Sequence, residues 1–317
     1  MTTLFKKRNF SDMLGDSFNF FKQDGKHFFK NYFILNGIFL MLLIALSYFL
    51  FKVYFEALTS GMNPGGDQNL LFAESLFNNN FATIAIGAVL FIILMLFITL
   101  LNFAYPVLYL KLYEKNNGSN FQIGEMVSEL KSKFWKILGF YLLSLVTIFP
   151  LVIILLAILV MLSIILIGIP LLIITIPLLF SLMSLSLYEH LNSDEGFFPA
   201  IRKAFGYIFK QFWPIVGSTI IIYMLIQVIL TIISLIPYII GMISIFSNAE
   251  DISTNGADAF STIGIVMTIV FAISILANYI LHNLLMINQG MIYYNSREII
   301  ENKSSFNEID SIGNHFE

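Results

Sequence analysis

The chain has 317 residues, of which 58% are hydrophobic and only 12% charged. Its zero cysteines exclude disulfides, thiolate metal sites and a cysteine nucleophile, and leave the redox compartment open. The formal net charge of −3 averages over two unlike surfaces, so it gives no ground for a nucleic-acid partner.

The informative signal is where charge is missing. No Asp, Glu, Lys or Arg occurs between Lys30 and Lys52, Glu74 and Lys111, Lys136 and Glu189, Lys210 and Glu250, or Asp258 and Arg297. About 20 apolar residues cross a bilayer as a helix, which alone satisfies its own backbone hydrogen bonds in hydrocarbon. The window from residue 137 to residue 188 is too long for one crossing, at roughly 1.5 Å per residue against a core of ~30 Å. It must turn, and Gly168 and Pro170 mark the place, near 163–170. The expected fold is therefore all-α, an integral membrane protein with six transmembrane helices near 33–54, 81–110, 137–161, 168–188, 214–240 and 261–287.

Lys and Arg collect on the cytoplasmic side of short loops. Segments 1–30, 111–136, 189–210 and 288–317 hold 16 of the 17 basic residues, whereas loops 55–80 and 241–260 carry Glu56, Asp67, Glu74, Glu250, Asp251 and Asp258. Both termini are expected in the cytoplasm, with Lys52 snorkelling from a span end. No cleavable signal peptide is expected, because the first apolar run begins more than thirty residues in and lacks a small-residue cleavage site. The Asn, Ile, Phe and Lys bias points to a low-GC bacterium and hence to its inner membrane.

An internal repeat organises the chain. Lys131-Ser-Lys-Phe-Trp-Lys-Ile-Leu-Gly139 returns as Phe209-Lys-Gln-Phe-Trp-Pro-Ile-Val-Gly217. Upstream of it, Ile123, Met126, Val127, Leu130 and Phe134 share the helical spacing of Ile201, Ala204, Phe205, Ile208 and Phe212. A looser N-terminal copy sets Phe10, Met13, Leu14, Phe18 and Phe21 on one side and Asp12, Asp16 and Lys22 on the other. Tyr113-Glu114, Tyr188-Glu189 and Tyr294 close the copies, with Asn102, Pro177 and Asn283 eleven residues before each tyrosine. The domain expectation is one membrane domain with repeat units 10–115, 119–190 and 194–296, each an amphipathic interfacial helix before a two-helix hairpin, and a cytoplasmic tail at 297–317. Parallel copies imply a pseudo-threefold bundle.

Phe29 beside Lys30, Trp135 beside Lys136, and Trp213 after Lys210 are expected to act as interface anchors at headgroup depth. Intramembrane chemistry has one candidate: His282, with Asn278, Asn283, Gln289 and the more distant Asn102, as a polar site or proton relay. A neutral histidine bonded between helices is the stronger expectation. The acids and histidine of Glu189-His190 and Asp194-Glu195 are expected in a solvated loop. There is no His-Glu-x-x-His spacing, phosphate-cradling loop or Gly-x-Ser-x-Gly elbow, so no catalytic, metal or cofactor residues are expected.

The three helix-plus-hairpin units, the Phe-Trp motif and the Tyr-Glu span ends resemble a group of bacterial six-helix membrane proteins, itself similar to the membrane domain fused to some glycerophosphoryl diester phosphodiesterases. The soluble barrel that carries phosphodiester chemistry has no counterpart in this sequence, so the resemblance implies no enzymatic activity and supplies no site residues. The expected function is a non-enzymatic membrane protein that organises or regulates membrane lipids or a membrane-protein partner through its cytoplasmic amphipathic face. The alternative is a passive or partner-energised transporter of a small or lipid-like substrate.

Overall fold

A computed structural model describes residues 2–60, 81–193, 195–247 and 256–302. All seven helices among the described residues are α-helices, and none of those residues forms a strand: α1 (Phe10–Ser60), α2 (Phe81–Lys115), α3 (Ile123–Ser163), α4 (Gly168–Asn192), α5 (Phe197–Lys210), α6 (Phe212–Ser247) and α7 (Gly256–Glu301). Six contain stretches long and apolar enough to cross a membrane: Phe10–Tyr54, Phe81–Lys115, Ile123–Ser163, Gly168–Asn192, Phe212–Ile236 and Thr268–Glu301. These overlap the six expected spans one for one. Asp67, Glu74, Glu250 and Asp251 and the tail beyond Asn302 lie outside the described residues, as does Asp194.

Local sequence explains the helix ends. At the start of α1, Asp12 N–H donates to Asn9 Oδ1 at 2.9 Å and Asn9 N–H donates to Asp12 Oδ2 at 3.2 Å, a reciprocal cap for two otherwise orphaned donors. The expected turn falls between Ser163 and Gly168, with Leu166 in the left-handed region at φ 63°. A Cβ at Gly168 would run into the backbone of Leu159 and Ser163, so only glycine lets α4 begin so close to the end of α3.

The segments expected to form interfacial helices before the spans follow a different plan. Residues 10–30 and 123–136 run straight into the spans that follow them, and only the third copy is set off as a separate helix, α5. Proline is the cause. Pro214 has no N–H for the Lys210 carbonyl and its ring would clash there, so α5 stops at Lys210, and Gln211 leaves helical geometry at φ −137° and ψ 49°. The equivalent residue after Trp135 is Lys136, which imposes no break.

The chain forms two compact units. The first comprises Met1–Leu35, Leu100–Leu225 and His282–Glu317, and contains the fully buried Tyr32, Tyr105, Tyr109, Tyr113, Tyr188, Tyr293 and Tyr294. Within it α2, α4 and α7 are tied together: Tyr188 OH of α4 donates to the Met286 carbonyl of α7 at 2.8 Å, and Tyr294 OH of α7 donates to Glu114 Oε2 of α2 at 3.0 Å. Gly290 makes this possible, since a Cβ there would meet Leu110 Cδ1 and the Tyr188 hydroxyl. The second unit comprises Asn36–Thr99 and Ile226–Leu281. It buries Leu40, Leu43, Ile98 and Ile226 together with Asn36, Ser47 and Thr268, and sets Phe39 edge-on to Phe97 at 5.0 Å.

Candidate functional site

Of the expected polar residues, the fold brings Asn102 and His282 together. Tyr32 OH donates to Asn102 Oδ1 at 2.8 Å, which fixes the amide so that Nδ2 points at His282 Nδ1, 3.2 Å away. Nδ1 then accepts, and the imidazole proton sits on Nε2. Phe103 and Phe180 flank the ring at centroid distances of 4.4 and 5.7 Å. Set between two aromatic rings and with Nδ1 bonded to Asn102, the imidazole suits helix packing more than ion handling.

The rest of the polar series on α7 goes elsewhere. Asn278 is exposed and belongs to the second unit. Asn283 is fully buried in the first. Gln289 Nε2 donates to Thr219 Oγ1 at 2.8 Å, and the Thr219 hydroxyl in turn donates to the Ile215 carbonyl, leaving its oxygen to face Ser181 at 3.0 Å. Neighbouring Asn288 donates to the Met13 carbonyl and Ser17 Oγ of α1. Gln289 thus ties α7 to α6, and Asn288 ties it to α1.

Glu189 and His190 stand corrected. They are not solvated: Glu189 is 2% exposed and His190 7%. The chain folds α5 back over the end of α4, so Tyr207 OH donates to Glu189 Oε2 at 2.9 Å and Lys203 Nζ to Oε1 at 3.0 Å. Lys203 also pairs with Glu195 at 2.6 Å. The Glu195 bond, reinforced by Glu189, raises the Lys203 pKa above its ordinary value, and burial followed by the Glu189 charge raises that of Tyr207.

Sequence reasoning missed an N-terminal clasp. Arg8 donates from Nη1 to the Leu4 carbonyl at 2.7 Å, from Nη2 to the Thr3 carbonyl at 2.6 Å and from Nε to Asp16 at 2.8 Å, while its backbone N–H reaches Asn295 Oδ1 at 2.7 Å. Burial lowers the Arg8 pKa and Asp16 works against that shift. Asp16, set by the sequence on the side opposite the apolar residues, is therefore a structural partner. A second missed cluster joins Asp24 to Tyr113 and Ser119, and His27 to Tyr109 and the Phe121 carbonyl. The available signal was Tyr113 itself, read from sequence only as closing the second span.

The proposed anchors divide. Trp135 and Trp213 are 78% and 70% exposed. Phe29 is half-buried, stacked on Phe21 at 5.4 Å. On α5 the inward residues are Phe197, Ala200, Ala204, Tyr207 and Ile208, so the expected stripe is rotated and Phe205 faces outward. The outer face carries Arg202, Phe205, Phe209 and Lys210, with the Phe205 and Phe209 rings stacked at 6.2 Å. Trp135 has exposed Lys131 and half-buried Lys133 for company. Large rings beside long cations on open surface are the chemistry of a bilayer interface. Among the described residues no group of three or more histidines and carboxylates is placed to hold a metal ion.

The fold and these surfaces define a multi-pass helical membrane protein. No family model, curated protein or solved structure matches the chain.

Proposed function

We propose that this chain is a non-enzymatic inner-membrane protein of a bacterium, with both termini cytoplasmic, that organises or regulates local lipid or a membrane partner through its cytoplasmic amphipathic face. The observation that carries the reading is the exposed aromatic and basic surface at Trp135 and along α5 to Trp213. Amphipathic rings take headgroup depth, and each nearby Lys or Arg adds about 1 kcal/mol of attraction to anionic lipid. The Lys and Arg asymmetry supports the orientation. The three units are read as hairpins packed through their second helices, a reading supported by the Tyr188 and Tyr294 contacts.

Trp135 and Trp213 are the only tryptophans, so indole emission reports this face without labelling. In vesicles containing phosphatidylglycerol, phospholipids brominated near the glycerol should quench both, and more strongly than lipids brominated at the chain ends. Indoles indifferent to brominated lipid would refute membrane contact and turn the face toward a protein partner, to be sought by pull-down from native membranes. Transport through the Tyr32–Asn102–His282 cluster is the second reading. It is favoured only by the buried polarity of that cluster, whose groups already bond one another.

A further inference from the structure

Among the described residues of the first unit, two hydroxyls are buried without a hydrogen-bond partner, those of Tyr141 and Ser144 on α3. Serine and threonine in these helices usually turn back onto the carbonyl four residues earlier, as Ser17, Ser47, Thr147 and Ser186 do at 2.6 Å. Ser144, 7% exposed, does not. Both residues instead line a cavity of about 440 Å³ bounded by Phe103 of α2, Ile148 and Val152 of α3, and Leu179 and Phe180 of α4. No other side chain in its wall carries an O–H or N–H. Two unmet donors in an otherwise hydrocarbon cavity call for a ligand that is apolar with an acceptor at one end.

Depth identifies the ligand. Tyr141 lies five residues beyond Lys136, the last charge before the span, or ~8 Å along the helix. From Tyr141 to Val152 is a further ~16 Å, about half of the ~30 Å hydrocarbon core. The cavity thus has the length of one leaflet's acyl chain, with its donors at the end where ester carbonyls lie. A groove of about 610 Å³ in the second unit, between Phe39 and Phe97, is lined by hydrocarbon alone.

We propose that the cavity between α2, α3 and α4 is a phospholipid site that takes one ester-linked acyl chain, with Tyr141 and Ser144 donating to its ester oxygens. The site requires only that α3 and α4 lie in a bilayer, and it stands whether or not the Trp135 and α5 face binds anionic lipid.

The test uses the full-length protein in nanodiscs of phosphatidylethanolamine and phosphatidylglycerol, with a trace of phosphatidylglycerol bearing a mid-chain diazirine. After irradiation, label should concentrate on peptides covering 141–152 and 179–187. Ile148→Trp, which fills the cavity, should remove most of that label and leave labelling at the Phe39 groove unchanged; the milder Ile148→Phe should act in the same direction if the larger ring impairs folding. In native mass spectrometry of the purified protein, diester phosphatidylglycerol should be retained over its diether analogue by about fivefold, the worth of one or two hydrogen bonds. Tyr141→Phe with Ser144→Ala should abolish that preference. Label spread evenly over the apolar surface, indifference to both Ile148 variants, equal retention of diester and diether lipid, or cross-links to a second copy in place of lipid would each overturn the proposal.

Discussion

The two compact units of this chain are built from the same long helices yet are held together differently. The first is crossed by directional bonds at buried positions: Arg8 to Asp16, Glu189 to Tyr207, Tyr188 to Met286, Gln289 to Thr219. In the second, Thr99 meets Tyr279 at 3.3 Å and Ser234 meets Ser274 at 3.1 Å, and apolar grooves of about 610 and 340 Å³ open on its surface. Lipid tails are as apolar as leucine, so burial alone gives helices little reason to associate in a bilayer, and packing with hydrogen bonds decides. The first unit should therefore hold a fixed geometry, and the second should yield to lipid and to substitution.

A matched glycine pair tests this most severely. A Cβ at Gly290 in the first unit meets the Tyr188 hydroxyl, which is pinned to the Met286 carbonyl, as well as Leu110. A Cβ at Gly87 in the second meets the free end of the Leu50 side chain at 2.8 Å. Gly290→Ala should cost about 1–3 kcal/mol, the usual penalty of overpacking, and Gly87→Ala less than 1 kcal/mol. Thermal unfolding in a mild detergent, followed by circular dichroism, measures both. Equal losses would erase the distinction between the units.

Glu189→Ala comes next. It removes the acceptor for Tyr207 and one of the two carboxylates on Lys203, at an expected cost of about 1–3 kcal/mol, the penalty for orphaning buried donors. Lys203 keeps Glu195, so α5 should loosen rather than the whole unit melt. Faster proteolysis confined to residues 197–210 would match; unchanged proteolysis would mean that the apolar face of α5 suffices.

The spans and the turn at Gly168 were legible because they depend on composition, on a glycine that has no Cβ to clash and on the restricted backbone of Pro170. The cross-links were not. Glu189 reads as a solvated acid in the sequence, because its partners Lys203 and Tyr207 arrive from the next helix, α5, and only the fold brings that helix back onto the end of α4. His282 and Asn102 were grouped from sequence as one candidate polar site, but Asn278 and Gln289 were grouped with them, and only packing separates the pair that bonds from the residues that do not. The rotation of the α5 stripe escaped because aromatic residues occupy both faces, and periodicity alone cannot rank Tyr207 over Phe205 as the buried ring.

Alkaline pH should act on the first unit through α5. Lys203 and Tyr207 both have raised pKa values in the folded protein. Folding therefore favours their protonated forms, and the stability they contribute is complete below their ordinary values of 10.5 and 10.0 and is lost as pH climbs past them. Melting temperature should be flat from pH 7 to 9 on this account and fall above about 10. Tyr207→Phe, which cannot ionise, should make that fall shallower; an unchanged slope would place the alkaline sensitivity elsewhere.

The smallest effect is expected at His282, where it is also most telling. Its Nδ1 accepts from Asn102 Nδ2, and the Asn102 amide is held by Tyr32. Glutamine offers a carbonyl oxygen at similar reach, so His282→Gln should keep the bond and lose at most about 0.6 kcal/mol, the average worth of such an interhelical contact. Cellular function should be unaltered between pH 5 and 8, the range in which an ordinary histidine of pKa about 6.5 would change charge. Alanine, by contrast, leaves Asn102 without its acceptor and opens space beside Phe103, so it should destabilise more than glutamine. If glutamine instead preserved expression, insertion and melting temperature while selectively removing activity or its pH dependence, the histidine proton would be doing work that packing does not require, and the transport reading would displace the lipid-organising one.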